Sequence, residues 1–483
     1  MDDVRSRAPH VVVVGAGITG LTTAYRLRQH RPEIRITVVE GSTRPGGKII
    51  TDHVDGFVIE GGPDSIVTFK PQALDLATEL GLAGRLRSND AGTSGTYVMD
   101  RGRPRRLPDG MNGFIPRRIW PIAKTGLLTP AAKIRMLLEY AVPPRRDPSD
   151  ESVESFVSRR LGAQVYRRLV EPLVSGIFAA DPADLSLQAT MPQLRAAEEK
   201  HGSLVRSVLA ERRAARRAAR RAQHLPTTAS SAGAMVAPVA GMGELVEALG
   251  RNLPGVDTLL QTRVVAIDHA HNGGYSVELA TARGREWLPA DAVVVAVPAT
   301  AAADALQGLD HGLATVLRET PYSSSATVSL GYRAADVPKR LEGHGYLVPA
   351  QERRMARACT WSSSKYPGRA PHGHVLLRVS LGGAGRPTLA GMSDSQLQSI
   401  AQGELAASLG ITADPVVGRV YSWTGVMPQY TVGHLSRVAA AERILSAHPG
   451  IVLAGSGYHG LSIPDCIGSA ERAAAAVLAT VDA

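Results

Sequence analysis

The sequence predicts an α/β protein whose main sheet is assembled from segments far apart in the chain. Three observations carry that expectation. An apolar run at 11–14 leads into Gly15-Ala16-Gly17-Ile18-Thr19-Gly20. A second apolar run at 34–39 ends on Glu40, the spacing of about twenty residues expected of an acid after such a turn. Near the other end, 451–454 leads into a second glycine turn, Gly455-Ser456-Gly457-Tyr458-His459-Gly460, with too little chain after it for a return strand.

A GxGxxG turn alone is a weak signal, and its context decides. Glycines let the backbone turn tightly and approach a pyrophosphate, whose charge then sits at a helix N-terminus. Leu21, Ala24, Tyr25 and Leu27 give the following segment the apolar stripe of a helix. The Glu40 carboxylate can accept from a ribose hydroxyl and would repel a 2′-phosphate. The unit is therefore Rossmann-like. Turns dominate 44–65, and a helix follows over 71–80. From about 92 to 232 the pattern changes to a hairpin over 96–107 and helices over 131–140, 153–161 and 204–223. Strands return at 264–267, 275–280 and 292–297. A β-rich block with strands at 326–330 and 375–381 holds one helix, over 393–409. The strand 451–454 and a helix over 466–481 close the chain. If 451–454 joins the sheet begun by 11–14, both glycine turns face one ligand, and the run near Val293 completes the same domain. The division is then 1–91, 233–305 and 430–483 for a cofactor domain, 92–232 for a helical insertion, and 306–429 for a β-rich substrate domain.

Composition narrows the classes. A chain of 483 residues buries a sizeable core in two or three units. Two distant cysteines, Cys359 and Cys466, build neither a disulfide framework nor a metal cluster, which fits a reducing cytoplasm. No signal peptide is visible behind Met1-Asp2-Asp3-Val4-Arg5, and no apolar run is long enough to span a bilayer. Net charge is +10, but seven arginines fall in 206–221 on one predicted helix, followed by a loose stretch at 227–233. A solvated basic face accounts for this, and contact with anionic lipid headgroups is the sharper alternative. With 4% aromatics and no nucleic-acid module, nucleic-acid binding is not expected.

Two more turns, Arg44-Pro45-Gly46-Gly47-Lys48 and Glu60-Gly61-Gly62-Pro63-Asp64-Ser65, point to a flavin rather than a nicotinamide. FAD is long and needs several loops to hold its ring system. With Arg168-Leu169-Val170-Glu171-Pro172-Leu173, Gly176-Ile177-Phe178, Pro428-Gln429-Tyr430, Gly433-His434-Leu435 and Gly460-Leu461-Ser462-Ile463-Pro464-Asp465-Cys466, the chain resembles, over nearly its whole length, the FAD-dependent porphyrinogen oxidases of haem synthesis. That family lies within the amine-oxidase and phytoene-desaturase superfamily. The resemblance implies FAD contacts at Gly15, Ala16, Gly17, Ile18, Thr19, Gly20, Glu40, Gly41, Lys48, Gly62, Pro63, Asp64 and Ser65. It also implies contacts at Val264, Trp423, Ile463, Pro464 and Asp465. It further implies that the helical insertion covers the substrate pocket and, in some members, docks on a membrane.

In the protoporphyrinogen-specific members an arginine precedes the tyrosine-valine of the hairpin and pairs with a propionate; here Thr96 stands there. A larger pocket with other basic residues is expected, with Lys70 as a candidate propionate contact, and the balance tilts to coproporphyrinogen III over protoporphyrinogen. The implied chemistry is a six-electron oxidation with three O2, releasing three H2O2: hydride leaves a meso carbon for the flavin and a pyrrole N–H proton is lost. No catalytic residue and no metal site can be named; His434 and His459 read as structural. The alternatives are another flavin amine oxidase, against which Cys466 falls after Pro464-Asp465, and a flavin-free prenyl-binding escort protein. Contact with a ferrochelatase is left open by the sequence.

Overall fold

A computed structural model describes residues 8–89, 95–108, 111–112, 115–116, 119–221, 235–271 and 273–482. The expected N-terminal stretch 1–5, the loose stretch 227–233 and the end of the basic helix at 222–223 lie outside the described residues.

The opening strand His10–Val14 is buried along its whole length, as a central parallel strand must be. Arg35–Val39 pairs with it on one side and Ala292–Val295 on the other, and Asp257–Leu259 and Ile451–Leu453 occupy the two edges. All four pairings are parallel. The chain reverses its direction of winding at His10–Val14, so the crevice beyond that strand's carboxyl end is the ligand position such sheets favour. Helices Ile18–His30 and Ile463–Val481 pack on one face of this sheet with Gln72–Glu79 and Gly243–Arg251. On the other face lie the antiparallel sheet Arg263–His269, Tyr275–Thr281 and Gly284–Ala290, and helices Ala299–Ala305, His311–Arg318 and His434–Leu445.

A second, seven-stranded sheet runs in the order Val417–Pro428, Tyr322–Arg333, His374–Gly382, Ala356–Trp361, Gly345–Leu347, Thr96–Asp100, Arg103–Arg106. Helix Asp394–Leu409, closed by a Ser393/Gln396 capping box, covers one face of it. The opposite face turns toward a helical unit with its own core, including Phe156, Leu169, Val174 and Leu194, against which Val98 and Leu347 of the sheet pack.

Several boundaries differ from expectation, each for a physical reason. The last helix begins at Ile463 rather than Cys466, because Ser462 caps it and forms a capping box with Asp465, and Pro464 is tolerated in a first turn. The 12-residue strand Val417–Pro428 carries too mixed a pattern of Gly, Tyr, Ser and Trp to be read as one. In the helical unit, Glu139 caps the basic helix Leu204–Arg221 from a distance: its carboxylate accepts from the Leu204 and Val205 N–H groups (2.8 and 3.1 Å) and from Ser203 Oγ (2.6 Å). The same carboxylate pairs with Arg160, and both side chains are fully buried.

Candidate functional site

The first glycine turn is shaped by contacts that leave no room for side chains. Gly15 has φ +102° and donates to the Val39 carbonyl at 2.7 Å, and a Cβ on it would stand 2.8 Å from Ala296 O. A Cβ on Gly20 would stand 1.8 Å from Gly15 O. Gly17 and Gly41 are different: no protein atom lies within 4 Å of where their Cβ would be. Glu40 lies between them in space and holds the turn, accepting from the Ala16 N–H at 2.8 Å and the Ser42 N–H at 2.9 Å. Each carboxylate oxygen retains a second lone pair for a hydroxyl. Ile18 and Thr19 are buried in the first turn of helix Ile18–His30, whose N-cap, Gly17, offers no side-chain cap. Alongside runs the segment that leads to Val264: Thr262 N–H donates to the Glu40 carbonyl at 2.9 Å, and Val264 is the second residue of strand Arg263–His269 just beyond.

Lys48 reaches the second glycine turn from a loop whose Gly46 N–H donates to Ala16 O of the first at 2.8 Å. Its Nζ lies 3.0 Å from Ser456 Oγ and 3.3 Å from the Val426 carbonyl. Burial lowers the amine's pKa, and no carboxylate forms an ion pair with it among the described residues. A desolvated ammonium without a counter-charge is costly. This cation, the open space before Gly17 and Gly41, and the uncapped helix N-terminus together fit an extended anionic cofactor with a pyrophosphate.

The turn Gly62, Pro63, Asp64, Ser65 is clamped from the seven-stranded sheet. A Cβ on Gly62 would stand 1.7 Å from Lys48 O. Burial alone would raise the Asp64 carboxyl, but Lys365 at 3.0 and 3.1 Å and Arg378 at 3.5 Å hold it well below the usual carboxylate range. Lys365 and the Tyr366 hydroxyl also reach Ser65 Oγ, at 2.8 and 3.0 Å. The Trp423 indole N–H donates to the Gly61 carbonyl at 2.9 Å. Ile463, Pro464 and Asp465 form the first turn of the last helix. Asp465 accepts from Ser462 there and is ion-paired with Lys70, so the candidate substrate lysine and a candidate cofactor residue bind each other.

Sequence reasoning missed Lys365, Tyr366 and Arg378, which lie some 300 residues from the turn they hold. No local motif signals such a partner. Tyr430 and His434 were visible within motifs, and their task is now plain. Tyr430 OH donates to Ser456 O (2.9 Å) and accepts from the Gly460 N–H (2.8 Å), bracing the second glycine turn. Its ring stacks on His434, with centroids 3.7 Å apart. Burial pushes the His434 imidazole down to about 4, so it is neutral and bonds the Tyr458 carbonyl at 2.8 Å. No group of three metal-ligating side chains occurs among the described residues.

Comparisons with known proteins agree with this architecture. The family model of flavin-containing amine oxidoreductases matches residues 18–478. A coproporphyrinogen III oxidase of Bacillus subtilis is 35% identical, across 96% of this chain and 97% of its own length. A chloroplastic protoporphyrinogen oxidase of Nicotiana tabacum is 29% identical, across 96% of this chain and 85% of its own. A crystal structure from Exiguobacterium sp. 255-15, carrying the provisional name protoporphyrinogen oxidase, superposes with a TM-score of 0.83 at 31% identity, covering 98% of this chain and 99% of that one.

Proposed function

The chain belongs to the flavin-containing amine oxidoreductase family, and from that premise we propose that it oxidises coproporphyrinogen III to coproporphyrin III. The observation that carries the substrate is the end-to-end similarity, at 35%, to a bacterial coproporphyrinogen III oxidase; another such relative, from Propionibacterium freudenreichii, is also 35% identical over 97% of this chain. Six hydrogens leave the macrocycle and three O2 become three H2O2. Bound FAD supplies a hydride acceptor that oxygen can reoxidise.

The chain's own residues bind and orient. In this reading Gly15 to Gly20 and the helix behind them take the pyrophosphate, Glu40 and Gly41 the ribose, and Val264 the adenine. Lys48, the turn Gly62 to Ser65, Trp423 and the helix start Ile463 to Asp465 surround the flavin ring. There the N-terminal dipole of a 19-residue helix favours negative charge on the reduced ring. The helical unit closes over the polar face of the seven-stranded sheet and keeps water from the macrocycle. Lys70 has three N–H donors, so it can take a propionate while it stays paired with Asp465. Protoporphyrinogen remains the competing substrate. Purification tests the cofactor: a colourless protein that releases no flavin on denaturation would sink the reading. Mixing anaerobic porphyrinogen with air and following porphyrin fluorescence tests the substrate, and faster turnover of protoporphyrinogen would reverse the choice.

No helix among the described residues is long and apolar enough to cross a membrane. Peripheral contact is part of the proposal for one face. Ile134, Leu137, Leu138 and Tyr140 are all more than half exposed, and Arg206 of the basic helix stacks over Tyr140 at 4.3 Å. An apolar patch beside arginines suits an anionic bilayer surface. Co-sedimentation with anionic but not neutral vesicles is expected. Transient delivery of product to a ferrochelatase belongs to the same reading, and co-elution of the two enzymes tests it.

A further inference from the structure

The seven-stranded sheet holds one buried cation, Arg357, for which the fold supplies no ion-pair partner among the described residues. Arg357, on strand Ala356–Trp361, is 8% exposed. Its Nη1 donates to the Gly382 carbonyl at 3.0 Å, while its buried Nε has no hydrogen-bond partner. It takes part in no ion pair among the described residues. The cations around it do not spare a counter-charge. Arg378, on the next strand, shares Asp64 with Lys365. Arg386 is ion-paired among the described residues with Glu171, 3.9 Å away, while the Asp181 and Glu404 charges act on it from farther off, and burial pushes the Glu171 carboxyl up to about 7. Burial and the neighbouring Arg378 and Arg386 charges lower the Arg357 guanidinium to about 10, so it is still charged at neutral pH.

A helix C-terminus could in principle serve it. Helix Glu171–Phe178 ends at Ala179, next to Arg357, but the Ala179 carbonyl already accepts from Ala384 N–H (3.0 Å) and Ser323 Oγ (3.1 Å). Leaving a buried guanidinium half-bonded and unpaired costs several kcal/mol unless an anion arrives. The position has an approach. A Cβ on Gly383 would stand 2.6 Å from Arg357 Nη1, and Gly383 lines a cleft of about 460 Å3 together with Ser323, Ser324, Arg386 and Gln429, with Asp181 and Asp184 also on its wall.

We propose that Arg357 anchors a carboxylate of the substrate, entering beside Gly383, as the counter-charge that the protein itself does not provide. This rests on the porphyrinogen reading above, and makes Arg357 one of the basic residues needed where Thr96 replaces an arginine. The test is equilibrium binding to the holoenzyme, read by porphyrin fluorescence, with coproporphyrin III and its tetramethyl ester as probes. Wild type is expected to bind the acid well and the ester more weakly. Arg357→Gln should lose about 10- to 100-fold for the acid, the worth of one charged hydrogen bond, with ester binding unchanged; Arg357→Lys should recover part of the loss. Equal binding of acid and ester by wild type would overturn the proposal without any variant, so a folding defect in Arg357→Gln does not shield it. Undiminished acid binding by Arg357→Gln would overturn it as well. Wild type that binds neither probe would instead remove the substrate reading, and this inference with it.

Discussion

Glu171 offers a prediction whose size follows from the structure. It opens the helix Glu171–Phe178, is 7% exposed, and accepts from the Ala350 N–H at 3.1 Å. Burial raises its carboxyl from 4.5 to about 7, against the opposing pull of that hydrogen bond and of Arg386. Burial also lowers the Arg386 guanidinium. Both partners are thus pushed toward their neutral forms, and desolvation outweighs an attraction across 3.9 Å. The folded value lies above the unfolded one, so the stabilising contribution is fully present below about pH 4.5 and is lost as pH rises through about 7. A shift of this size corresponds to about 3 kcal/mol. Glu171→Gln keeps an acceptor for Ala350 but cannot ionise. Its stability relative to wild type should therefore rise by about 3 kcal/mol between pH 4.5 and pH 8, or about 3 °C in Tm for a chain of this size. Thermal unfolding of both proteins at half-unit pH steps measures it. A difference between them that stays constant across that range would refute the assignment of burial as the dominant force on this carboxyl.

Other perturbations separate the site from its scaffold. Gly62→Ala, whose Cβ would meet Lys48 O at 1.7 Å, should purify without flavin, judged by the ratio of visible to ultraviolet absorbance. Gly41→Ala meets no protein atom, so it should fold normally and lose flavin affinity only if the cofactor fills that space, which titration of the apoprotein with FAD decides. Lys48→Met removes a desolvated, unpaired cation: the apoprotein should melt no lower than wild type, while FAD dissociates at least about tenfold more readily. Glu139→Ala leaves Arg160 with Glu198 as its remaining buried carboxylate and uncaps Leu204–Arg221, costing about 3–5 kcal/mol. Hydrogen exchange at residues 204–207 should accelerate beyond the global change.

The parts of the molecule governed by local rules were legible in the sequence. Val11 to Val14 read as a buried parallel strand because nothing but apolar side chains occurs there, and Gly15 to Gly20 with Glu40 placed the crevice. The final helix was visible through its alanines, and only its start was misplaced, by the Ser462 cap. What stayed hidden depends on residues meeting across the chain. Lys365 sits in an unremarkable Ser-Ser-Ser-Lys-Tyr segment, and only the closure of the seven-stranded sheet on Asp64 gives it a role. Lys70 read as a candidate propionate contact because its partner Asp465 is 395 residues away. Arg357 belongs to no motif in the sequence, and its burial follows only from the course of strand Ala356–Trp361.

The interleaved order of the first sheet bears on how the protein is made. Thr23, in the first helix, lies against Ala470, 447 residues later, and Ile451–Leu453 completes the edge beyond Ala292–Val295. At roughly 5–20 residues per second, a ribosome needs on the order of half a minute or more to connect these segments. Through that interval the side of helix Ile18–His30 that packs on Ile463–Val481 has no mate. The cofactor crevice is complete only once helix Ile463–Val481 has packed against the first, so removal of that helix should yield an aggregating chain rather than a weakened enzyme.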